Sequence, residues 1–141
     1  MDIILAPDVY VNASVAPGSS PDRVVQRVLG QHRGESQATE WILGRVAAIL
    51  SAIPAFKHEA VQGQVDLIRS FVKVVPGAET LGPDAWTDAL VASAKAADVV
   101  RVVTDHPDLL KLESAQGVEF VATEAWLLEV TTPPPVPNSI A

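Results

Sequence analysis

A chain of 141 residues with net charge −7, 48% hydrophobic residues and no cysteine has enough apolar matter for the core of one domain. It excludes disulfides, zinc–thiolate sites and a cysteine nucleophile. No apolar run approaches the ~18 residues of a membrane span, no charged segment followed by an apolar one marks a signal peptide, and a cytoplasmic protein is expected. An acidic chain repels a polyanion unless a basic patch or a bound cation intervenes, because phosphate neutralisation supplies most non-specific nucleic-acid affinity.

Residues 2–6 read as a short buried strand, and the apolar stretch 9–15 either begins a helix or extends that strand. Within "APGSSPDR", Ser20 is the expected N-cap, Pro21 suits the first helical position and Asp22 suits the positive end of the helix dipole. That helix carries Val24, Val25, Val28 and Leu29 on one face and stops between Gly30 and Gly34. Ser36 is read as the cap of the next helix, in which Ile42, Val46, Ile49, Leu50 and Ile53 keep a 3.6-residue period until Pro54. Val61, Val65 and Ile68 mark an amphipathic helix over 57–70, and β-branched "FVKVV" at 71–75 predicts a strand.

Pro83 and Asp84 are read as opening a helix whose inward face, Ala89, Leu90, Ser93, Ala94 and Ala97 with Trp86, is built largely of small residues. "DVVRVVT" at 98–104 is a strand, "HPDLLKL" a helical turn, "VEFVA" at 118–122 a strand and "TEAWLLEV" a final helix. The proline-rich segment 131–141 is expected to be extended and to stand apart from a folded unit over 1–130. It is read either as a loose end or as a segment that docks on a partner chain. Strands alternating with helices imply an α/β fold with a central parallel sheet flanked by helices.

In such sheets ligands sit beyond the carboxyl ends of the strands. Asp8 follows the first strand and Asp105 follows the strand at 98–104; Asp84, Asp88 and Asp108 are further candidates. Two like charges ~4 Å apart repel by about 1 kcal/mol in water and about 4 kcal/mol at an effective dielectric of 20, so three clustered carboxylates call for a proton or a cation. Mg²⁺ or Mn²⁺ held by carboxylates and waters activates water for phosphodiester hydrolysis. The same acids also have a structural account, because a carboxylate in a first helical turn stabilises the helix by about 0.3–1 kcal/mol. His32, His58 and His106 share no ligand spacing, and Trp41, Trp86 and Trp126 fall on helices as packing residues. Arg23 and Arg27, one turn apart, with Arg33 beyond, form the one local basic stripe.

The order strand, acid, apolar segment, "PGSSPDRVV", followed later by "TDALVASAKAAD", "VVTDHPDLL" and "VEFVATEAWL", resembles a PIN domain. The subgroup it most resembles is the VapC-like toxin component of bacterial toxin–antitoxin systems. The resemblance implies a three-layer PIN-like α/β fold, a Mg²⁺- or Mn²⁺-dependent ribonuclease using three or four acids, and a homodimer with an antitoxin partner. Carried over position by position, the family's first Asp falls on Ala6 and its nearby Asn on Asp8. Its helical Glu falls at or near Arg45, with Glu40 the nearest acid. "TDALVASA" places Asp88 on a metal-ligand position. In "TDHPDLL" the principal acid becomes His106, Asp108 is kept and Asp105 replaces a Gly.

The site implied is therefore Asp8, Asp88, Asp105 and Asp108, with Asp8, Asp88 and Asp105 as metal ligands. One reading is a PIN-type protein with a degenerate nuclease site that binds a protein or RNA partner, with Arg45 forming a salt bridge into the cleft. The other is an active metal-dependent ribonuclease, a toxin, using the rearranged acids. A structural subunit using its apolar helices and proline segment is a third.

Overall fold

The computed structural model describes residues 2–31 and 36–132. The expectations for His32, Arg33 and the proline-rich segment beyond Thr132 lie outside them. The centre is a sheet of four short strands in the order β1–β4–β6–β5. Strand β1 (Ile3–Leu5) pairs in parallel with β4 (Arg101–Val103), and β4 pairs in parallel with β6 (Val118–Val121). All of β1 is buried, as are Val102 and Val103 of β4, so these strands are continuous apolar runs rather than alternating ones. That is the pattern of a sheet covered on both faces.

At the edge, β5 (Ser114–Ala115) runs antiparallel to β6. The connection is a two-residue turn in which Gln116 and Gly117 both take positive φ, 50° and 84°. Such a turn matches the right-handed twist of the flanking strands. A second, separate pair joins β2 (Gln37–Ala38) to β3 (Lys73–Val74) in parallel.

The helices are α1 (Pro7–Val15), α2 (Ser20–Gln31), α3 (Glu40–Ser51), α4 (His58–Phe71), α5 (Trp86–Ala96), α6 (Pro107–Leu112) and α7 (Thr123–Thr131). Helix α1 packs on α2 and α3, α3 on α4, and α2 on α7. Ile4, Leu5, Tyr10, Ile42, Leu43, Leu50 and Leu90 are among the fully buried side chains of one core. Among the described residues no helix is long and apolar enough to cross a membrane.

The α/β class and parallel sheet agree with the sequence reading; several boundaries do not. Residues 9–15 are helical: the chain turns straight from β1 into α1 through Pro7, whose fixed φ suits a first helical position. The hydroxyl at the start of α2 that accepts a backbone N–H, that of Asp22 at 3.4 Å, belongs to Ser19 and not to Ser20. The Asp22 carboxylate reaches back to the Gly18 amide at 2.7 Å. Ser36 does not cap α3. It precedes β2, and Thr39 caps α3 by accepting from the Ile42 amide. Helix α5 begins at Trp86, so Pro83 and Asp84 lie ahead of it and Asp88 occupies its first turn. The predicted strand at 71–75 shrinks to Lys73–Val74, because α4 runs on through Phe71.

Candidate functional site at the strand ends

Strands β1 and β4 are neighbours, so the residues that follow them are brought side by side. Asp8 sits in the first turn of α1, two residues past Ala6, whose own amide still bonds Val103 O at 3.0 Å. Its carboxylate does not cap α1. It turns across to the end of β4, where Oδ1 accepts from the Thr104 hydroxyl and Oδ2 from the Asp105 amide, both at 2.8 Å. Thr104 is fully buried, and its Oγ1 also accepts from the His106 amide at 3.0 Å. Burial pushes the Asp8 carboxyl above its ordinary value, the Asp105 amide and Thr104 hydroxyl pull it back, and the nearby Asp105 charge pushes it up again.

Asp105 passes the chain of hydrogen bonds on to the end of β6. Its Oδ1 accepts from the Thr123 amide at 2.9 Å and its Oδ2 from the Thr123 hydroxyl at 2.6 Å. Ala122 offers α7 no side-chain cap. Asp105, from a segment 18 residues earlier, therefore does the capping, placing a negative charge at the positive end of that helix. Thr123 is the residue the sequence reading missed. Its signal was a hydroxyl directly after the last strand, in the layer that already held Asp8 and Asp105.

The other candidates are placed differently. Asp88 is exposed in the first turn of α5, and Asp108 is exposed in the first turn of α6. His106 caps α6, its Nδ1 accepting from the Asp108 amide at 3.2 Å. The His106 ring lies 5.1 Å from Trp86, which meets Trp41 edge-on at 5.7 Å. Helix α5 thus approaches the site through Trp86, while Asp88 lies about 200° further round the helix.

Asp8 and Asp105 meet in one hydrogen-bonded network, and Asp88 and Asp108 lie on the exposed first turns of two other helices. All four oxygens of the central pair accept bonds from protein donors. Among the described residues, no group of three or more His, Cys, Asp or Glu side chains is placed to hold a metal ion. The expected salt bridge from Arg45 is not formed either. Its Nε is buried with no hydrogen-bond partner, and no described acid pairs with it.

The fold so defined is α/β: a mainly parallel sheet flanked by helices, with acids at the strand ends. A crystal structure of VapBC2 from Rickettsia felis, bound to a DNA fragment from their promoter, is similar to this chain in fold. The TM-score is 0.58 at 14% sequence identity, over 86% of this chain and 98% of that one. No family model and no curated protein sequence matches the chain.

Proposed function

We propose that this chain is a PIN-like protein of the toxin–antitoxin type whose strand-end acids are structural, and that it acts by binding a partner protein. The observation that carries the reading is the donor set around Asp8 and Asp105: each of their four oxygens accepts a bond from a protein donor, so both carboxylates tie the strand ends together. The fold likeness to VapBC2 supports an antitoxin-like partner, and a homodimer is the assembly we expect.

The adjacency of Asp8 and Asp105 favours a second reading, a Mg²⁺- or Mn²⁺-dependent ribonuclease that recruits Asp88 on binding metal and RNA. One experiment decides between the two. The purified full chain is incubated with a fluorogenic RNA in millimolar Mn²⁺, and its melting temperature is measured with Mn²⁺ and with chelator. The binding reading expects no cleavage and no shift. Cleavage that disappears in Asp88→Asn overturns it.

A further inference from the structure

The acids are not the only feature that the sheet connectivity assembles. Helix α2 packs against α7, and three adjoining cavities of about 590, 340 and 220 Å³ run between them, all bordered by Arg23. The first opens at the strand ends beside Asp105 and Glu124. The second, at the far end, has no acid in its lining; it lies between Arg23 and Arg27 on one wall and Leu127 and Thr131 on the other. Leu128, 68% exposed, is the most exposed large hydrophobic residue among those described and edges the third, which Glu124 also lines.

Elsewhere the exposed guanidinium of Arg69 is paired with Glu40, and the half-buried one of Arg101 with Glu119 and Glu129. Arg23 and Arg27 are not paired with any described acid. The bond found for Arg27 runs from Nη2 to the Val130 carbonyl at 3.2 Å, which fixes the guanidinium in the groove without neutralising it. A chain of net charge −7 thus holds, one helical turn apart and beside an exposed leucine, two cations that form no ion pair among the described residues.

We propose that this end of the α2–α7 groove docks a peptide segment of a partner protein that carries two carboxylates one helical turn apart and an apolar side chain between them. The carboxylates meet Arg23 and Arg27, and the apolar side chain covers Leu128. Single-stranded RNA is the poorer fit, since two cations release too few counterions to offset a strongly acidic chain. The chain's own residues 133–141 contain no Asp or Glu to face the arginines. This inference rests on the partner-binding reading above and names the chemistry of the partner.

The test uses the full chain and a fluorescent helical peptide of Leu and Glu repeating at one-turn spacing, followed by anisotropy. Controls are the same peptide with Lys for Glu and an oligouridylate. Binding of the Glu peptide alone is expected. It should weaken at least about ten-fold in Arg23→Glu and in Leu128→Asp, both exposed positions at which circular dichroism should be unchanged. Equal binding of the Lys peptide, tighter binding of the RNA, no binding of the Glu peptide, or a dimer in sedimentation that Arg23→Glu dissociates each overturns the proposal. Manganese-dependent RNA cleavage with peptide binding intact would instead sink the partner-binding reading and leave this surface standing.

Discussion

The main-chain amide of Asp105 donates to Asp8 Oδ2 at 2.8 Å, joining the ends of two parallel strands through a carboxylate and a backbone group. The bond does not stand alone. Thr104 donates its hydroxyl to the other oxygen of Asp8 and receives the amide of His106, so one buried hydroxyl serves both a carboxylate and a turn. Replacing Thr104 with Val keeps the volume and removes both bonds. An unpaired buried donor together with a charged acceptor that loses a partner costs about 2–3 kcal/mol. Thr104→Val should show that loss in urea unfolding, and Thr104→Ser should recover most of it. Equal stability of the Val and Ser variants would mean that the hydroxyl holds nothing.

The same burial makes Asp8 a source of pH dependence. Its folded-state carboxyl titrates above the ordinary 3.8, chiefly because it is desolvated. A raised acid binds its proton more tightly in the folded state than in the unfolded one. The stability it contributes is therefore complete below 3.8 and is lost as pH rises through the folded value. Asp8→Asn removes this term, and it also turns an amide donor toward either the Thr104 hydroxyl or the Asp105 amide, lowering stability at every pH. The informative quantity is the difference between wild type and variant. That difference should grow in favour of wild type as pH falls from neutrality toward the ordinary carboxylate range. Urea midpoints at several pH values measure it, and a flat difference would place Asp8 in an environment no drier than the surface.

The four candidate acids should separate into two energetic classes. Asp105→Ala strips the amide and hydroxyl of buried Thr123 of their acceptor and removes the tertiary cap of α7; about 2 kcal/mol is expected. Asp88→Ala and Asp108→Ala each remove only an exposed charge near a helix N-terminus, a loss of about 0.3–1 kcal/mol that salt diminishes. Thermal melts at low and high salt distinguish the classes. A salt-insensitive loss at Asp88 as large as that at Asp105 would show Asp88 to be part of the buried network.

What could be read in the sequence follows from the range of the interactions. Ile42, Val46 and Leu50 repeat every turn and lie on the buried face of α3, so local periodicity alone places that helix. The topological rule for parallel sheets picks out the region where Asp8 and Asp105 meet, since it depends only on strand ends. What the carboxylates do once there is set by Thr104 and Thr123, and Asp105 and Thr123 are 18 residues apart with no shared motif. Boundaries failed where a partner from outside the segment decides them. Thr39 outcompetes Ser36 as a cap because its hydroxyl also lies 2.8 Å from that of buried Ser93, which ties the start of α3 to α5. The two-residue strand β5 exists only because Gln116 and Gly117 fold it back on β6, too short a segment to show a period of its own.

Gly77 illustrates the same limit. In "PGAETLGP" it reads as an ordinary loop glycine, but the structural demand on it comes from a helix. A Cβ at Gly77 would lie 2.7 Å from the Ala96 Cβ on α5. Ala96 has no flexible end to swing aside, so the loop or the helix must move. Overpacking of this kind costs about 1–3 kcal/mol, and Gly77→Ala should lower the unfolding free energy by that amount. Adding Ala96→Gly reopens the space, although glycine in a helix costs about 1 kcal/mol by itself. The double variant should therefore be more stable than the sum of the two single losses allows, a favourable coupling of at least about 0.5 kcal/mol. Strict additivity in the cycle would show that the loop yields freely and that α5 does not rest on Gly77.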